Sequence, residues 1–142
     1  MLRSRPVQIA FQPEAKVTAL VLSLNGQVVA WSESDGQVFI AQQEHSKFTV
    51  SGSWKAASLV RGIAVRGNSV YVLDDAHGVS CLDFTGKVEW QLEVGAGGFD
   101  LQQTPFGLAV VDGLGRLFLV RYDGSEYPLQ ATYEDILHMQ SV

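Results

Sequence analysis

The stretch that decides the fold is Val70-Tyr71-Val72-Leu73-Asp74-Asp75-Ala76-His77-Gly78-Val79-Ser80-Cys81-Leu82-Asp83-Phe84-Thr85-Gly86-Lys87-Val88-Glu89-Trp90. It crowds Asp, His, Ser and Cys together, so it suggests either a reactive site or the turns of a β-hairpin. The spacing favours the hairpin. A short apolar run (70–73) closes on a polar turn ending at Gly78, and a second run (79–82) ends at the Thr85-Gly86 turn. A third run follows from Lys87 to Leu92. Short β-rich runs separated by Gly and Asp turns are the pattern of strands in succession. On such a strand Ser80 and Leu82 face one side while Cys81 and Asp83 face the other. His77 lies across a turn from either pair. A Ser/His/Asp or Cys/His constellation therefore does not assemble, and no G-x-S-x-G elbow is present. Asp74 and Asp75 are turn formers that bond nearby backbone amides. Cys81 reads as a small packed residue.

The same shape recurs on both sides. Gln27–Gln37, Ser69–Val79 and Phe106–Arg116 each carry an apolar run closed by a polar turn, with glycine at Gly36, Gly78 and Gly115. A second turn follows in each unit, at Glu44-His45-Ser46, Thr85-Gly86 and Asp123-Gly124, and then a third run. Equivalent glycines are 42 and 37 residues apart. A period of roughly 40 residues is that of four-stranded propeller blades. The remaining strand of each unit lies ahead of the shared segment, at Val17–Leu24, Leu59–Val65 and Phe99–Thr104. Asn25-Gly26 joins the first of these to its neighbour and predicts a type I′ turn with both residues at positive φ.

The expectation is an all-β chain of three four-stranded antiparallel blade-like repeats of about 40 residues, a partial or oligomer-completed β-propeller. The units run over 17–56, 59–97 and 98–133, within one domain spanning 1–142, with flanking strands at 7–11 and 136–142. Only Ala131–Met139 has a pattern compatible with a helix, and it could equally begin a strand. Three blades fall short of a closed ring, for which about four is the lower limit. The chain would then be a portion of a larger propeller, or its ring would be completed by other copies. A β-sandwich matches the strand pattern but does not require the period.

Over Val70–Gly95 the sequence resembles the repeat of quinoprotein-type (PQQ-like) β-propellers, a group that shares features with WD40-like repeats. Val70-Tyr71-Val72, Gly78, Leu82-Asp83, Thr85-Gly86-Lys87 and Trp90 stand at the corresponding positions. The likeness fades in the first unit, where Trp31 falls on a different strand, and in the third, where no tryptophan follows Tyr122-Asp123-Gly124. It implies that Trp90 packs between blades and that Thr85 and Gly86 form an outer turn. It does not imply quinone binding, since most proteins with such repeats hold no cofactor and act as scaffolds or assembly factors.

Composition narrows the functions. With 46% hydrophobic and 18% charged residues, the chain has enough apolar material for a core and is not a disordered segment. A net charge of −5 disfavours nucleic acid and anionic membranes as partners. One cysteine excludes an internal disulfide framework and fits a reducing, cytoplasmic setting. Residues 7–11 are too short an apolar run for a signal peptide, and no stretch is long enough to span a bilayer. His45, His77 and His138 lack zinc-ligand spacing. Gly95-Ala96-Gly97-Gly98 lacks the Lys-Ser/Thr of a phosphate loop and reads as a flexible link between units.

These observations point to a non-enzymatic scaffold without cofactor or metal. It would mediate protein–protein interaction or complex assembly, through a protein partner or by self-association at open sheet edges. Candidate contact residues are Trp54 and Lys55, read as part of a Ser51–Lys55 loop, together with Arg61 and Arg66 of the second unit. The alternative is a ligand- or substrate-binding propeller, part of an enzyme or sensor, with Arg61, Asp100, Gln102 and Gln103 lining a central channel.

Overall fold

The computed structural model describes residues 12–125, and within them every regular element is a β-strand. The first sheet contains β1 (Val17–Leu22), β2 (Val28–Glu33), β3 (Gln37–Glu44) and β4 (Lys47–Lys55) in that order. The second contains β5 (Val60–Arg66), β6 (Ser69–Asp74), β7 (Gly78–Asp83) and β8 (Val88–Glu93), again in chain order. The third contains β9 (Gly98–Gln103), β10 (Leu108–Asp112) and β11 (Leu117–Val120). All pairings are antiparallel, and no sheet closes on itself. The repeated antiparallel architecture read from the sequence is therefore present. The run expected as the fourth strand of the third unit, near Glu126–Leu129, lies outside the described residues, as do 7–11 and 131–142.

The sheets stack face to face, and the first strands of successive units lie side by side, β1 against β5 and β5 against β9. Two separate cores result. Val28, Ala30, Val38 and Ile40 of the first sheet meet Val65, Val70, Val72 and Leu82 of the second. On the opposite face, Tyr71, Leu73, Val79 and Cys81 meet Leu101, Leu108, Val110 and Val120 of the third sheet. The central sheet is thus buried on both faces. This accounts for its unbroken apolar run at 70–73, since a half-buried strand would alternate apolar and polar residues. Ser80 and Leu82 do face one side and Cys81 the other.

Buried acids at equivalent positions tie the units together. Glu33, Asp74 and Asp112 each end the second strand of a sheet and are 2%, 3% and 1% exposed. Glu33 accepts from Ala15 N (3.1 Å), just ahead of β1, and from Trp31 Nε1 (3.1 Å). Asp74 accepts from His77 N (2.6 Å) and Ala76 N (3.0 Å) in its own turn, and from Ser58 Oγ (3.2 Å) in the connection to β5. Asp112 accepts from Leu114 N and Arg116 N in its turn, and from Ala96 N (3.1 Å) in the connection to β9. One carboxylate per unit therefore holds the incoming chain, and in the second and third units it also satisfies the amides of a tight turn, as buried polar groups require. The Gly95–Gly98 run read as flexible is held in this way. Gly97 N also donates to Val94 O (2.8 Å), and Gly98 opens β9.

Asp112 makes a pH prediction. Burial works against its charge, but the Arg116 and Ala96 amides, the Arg116 guanidinium and the Leu114 amide hold its carboxyl down to about 2, from an ordinary 3.8. A depressed pKa contributes stability in full above the unfolded value, and that stability disappears as pH falls through the folded one. Asp112→Asn is expected to be less stable than the wild type at neutral pH. The gap should narrow as pH falls from 3.8 to about 2 in acid-unfolding curves. A gap that stays constant through that window would refute the assignment.

Two turn expectations need correction. Asn25 is not at positive φ, and only Gly26 is (+74°), so the turn is not type I′. Gly26 N donates to Ser23 O (2.9 Å), and Asn25 Oδ1 accepts from Gln27 N and Ser23 Oγ. The asparagine side chain stabilises an Asx-type turn, with glycine taking the left-handed position that follows. The second correction concerns residues 51–55, which belong to β4 and not to a loop. Their Ser/Gly composition serves a close approach. Ser51 Oγ donates to Phe84 O (2.6 Å), and a side chain at Gly52 would run into the backbone of Thr85 and Gly86.

Candidate functional site

Trp54, Lys55, Arg61 and Arg66 are not brought together. Trp54 sits on β4, half-buried against the first core, so it is a packing residue more than a free contact. Lys55 is exposed, and its Nζ donates to Asp35 O. Arg61 pairs with Asp75 (3.7 Å), and both are substantially solvated, so this pair adds little stability. Asp100, Gln102 and Gln103 are exposed on β9, and Asp100 Oδ1 accepts from Leu101 N.

The Asp-His-Ser-Cys stretch forms no reactive cluster. His77 is exposed, with Nδ1 3.7 Å from Asp74 Oδ1, while that carboxylate is already committed to backbone amides. Cys81 is buried, and burial raises its pKa, so the thiol stays protonated and unreactive. Burial, followed by the Cys81 thiolate that forms only at high pH, pushes the neighbouring Tyr71 hydroxyl up to about 12. Among the described residues no three His, Cys, Asp or Glu side chains lie close enough to hold a metal ion.

Trp90 and Thr85-Gly86 are structural. The Trp90 indole lies against Tyr71, with centroids 6.0 Å apart. It also faces Gly124 of the third unit, where an added Cβ would come within 2.8 Å of the ring. The Thr85-Gly86 turn is organised by Asp83, whose carboxylate accepts from Thr85 Oγ1, Thr85 N and Lys87 N and is held below its usual range by those bonds. That turn docks on β4 of the unit before it, as the Tyr122-Asp123-Gly124 turn docks on Trp90 of β8.

The surface with unspent binding groups is a groove of about 790 Å³ at the end of the stack that carries the β1–β2 and β5–β6 turns. Its floor includes Val28 and Val65, both buried in the first core, and half-buried Phe84. Its walls carry the side-chain amides of Asn25, Gln27, Gln42, Gln43, Asn68 and Gln103, drawn from all three sheets. Among the described residues Arg66 is the one cation that lines it, and no acid does. The Arg66 guanidinium rests over the Tyr122 ring, 4.3 Å from its centroid. Leu24, on the rim, is fully exposed. Of these groups, the sequence points only to Arg66 as a contact residue and to Gln103 as channel lining. The others are scattered turn-end amides with no local signal, and only the stacking of the units gathers them.

No protein-family model matches this chain, and no curated protein matches it. Among solved structures the chain is similar to the computationally designed Ika8 protein, at 16% identity and a TM-score of 0.55, over 80% of this chain and 38% of that one. It is also similar to the computationally designed Ika4 protein, at 12% identity and a TM-score of 0.48, over 84% of this chain and 99% of that one. The chain spans less than two fifths of the Ika8 protein's length, and at this identity the likeness bears on the fold alone.

Proposed function

We propose that the chain is a non-enzymatic protein-interaction platform whose three sheets are blades of a partial β-propeller. The observation that carries this is the groove, lined by amides from all three units and edged by the exposed apolar tip Leu24. A rigid stack presenting loops at one end suits partner binding, because the loops are positioned before the partner arrives. An apolar tip beside polar walls matches the composition of protein-binding surfaces. Successive first strands lying side by side support the blade arrangement. A reducing, cytoplasmic setting is supported by the single, buried thiol. Separately, among the described residues no helix is long and apolar enough to cross a membrane.

The competing site at Arg61, Asp100, Gln102 and Gln103 lacks convergence, since Arg61 is paired with Asp75. A thermal-shift panel of divalent metals, sugars and quinones is expected to leave the melting midpoint unchanged. Peptides selected from a random display library on the wild-type chain should lose binding to Leu24→Asp. Stabilisation by a sugar, quinone or metal, or selected binders indifferent to Leu24→Asp, would overturn the platform.

A further inference from the structure

Resting on the platform reading, we propose that the groove binds an extended peptide segment and that Arg66 pairs with a carboxylate of that segment, such as a free C-terminus. Among the described residues the side chains of Gln27, Gln42, Asn68 and Gln103 make no hydrogen bond within the protein, and Arg66 has no carboxylate partner. Four amides and a guanidinium thus bring donors and acceptors that no protein group engages to one groove. A side-chain amide offers both a donor and an acceptor, as does each unit of an extended backbone, so the walls match peptide groups without demanding a sequence.

The charge pattern selects the ligand's end. The protein carries a net charge of −5, yet among the described residues no acid lines this groove, so an anion meets least repulsion beside Arg66. Arg66 is already stacked on Tyr122, which limits the freedom its guanidinium loses on binding. A planar guanidinium takes a carboxylate through paired, charge-assisted hydrogen bonds. The apolar floor and the exposed Leu24 favour a peptide over a sugar, whose ring would need an open aromatic face, and Phe84, the aromatic among the described lining residues, is half-buried.

The test is a titration of the ¹⁵N-labelled full chain, followed by NMR, with three probes. These are acetylated tetra-alanine with a free C-terminus, the same peptide amidated, and acetate. The free acid is expected to shift the side-chain amide signals of Gln27, Gln42, Asn68 and Gln103, and the amidated form to bind about tenfold more weakly. Arg66→Gln should abolish that difference, and Arg66→Lys, which keeps the charge without the fork, should retain part of it. Acetate binding as tightly as the free acid would reduce the groove to an anion site and overturn the peptide assignment. Equal binding of both peptides would overturn the carboxylate pairing while leaving the platform intact. An absence of shifts at the four amides would remove the groove as a peptide site. The Leu24→Asp selection tests the platform independently of all three results.

Discussion

Replacing Gly86 by alanine is expected to destabilise the fold by about 2–4 kcal/mol, combining left-handed strain on a residue with a Cβ and an overpacked contact. Gly86 sits at φ +88°, and an added Cβ would collide with the Ser53 backbone of the neighbouring sheet. The colliding partner is main chain within β4, so no rotamer change relieves it. The turn would have to lift off β4, taking with it the bond from Ser51 Oγ to Phe84 O (2.6 Å). Urea unfolding measures the loss. Gly115→Ala is the control, because it shares a positive φ (+78°) but has nothing within 4 Å of the added atom. It should show only the strain, about 1 kcal/mol. Equal losses at the two positions would mean that the docking of one unit's turn on the previous unit contributes nothing.

Leu73→Ala is expected to cost about 3–5 kcal/mol, the range for a fully buried leucine whose surroundings cannot collapse. Leu73 is 0% exposed, in the core between the second and third sheets, and its side chain packs closely against Gly98 at the start of β9. Leu82→Ala probes the other core, where Leu82 is equally buried. Because the second sheet contributes strands to both cores, the two losses should be similar, and each variant should unfold in a single transition. Fluorescence and circular dichroism monitored together would detect separate melting of the sheets. Separate transitions would show that the two cores are thermodynamically independent, as in a weakly coupled repeat array.

Much of the architecture was legible because its signals are local. Runs such as Val70–Leu73 and Val79–Leu82, punctuated by Gly78 and Gly86, mark strands and turns without reference to distant residues. The same locality caused the errors. Ser51-Gly52-Ser53 has loop composition, yet it is strand, because its small residues admit a turn 33 positions away. Asn25-Gly26 carries the dipeptide of a type I′ turn, but side-chain bonding by Asn25 selects a different one.

By itself, the sequence determined the all-β class, the repeated antiparallel sheets and the nature of the Asp74–Gly78 segment, which is a turn closed by a buried carboxylate. These follow from side-chain period, turn chemistry and the short reach of Asp. Tertiary structure alone decided that Glu33, Asp74 and Asp112 each hold an incoming chain, that Gly52 and Gly86 meet, and that six amides and Arg66 share one groove. Each of these depends on how one unit stacks on the next, and the residues involved come together only when apolar faces of separate sheets are buried against each other.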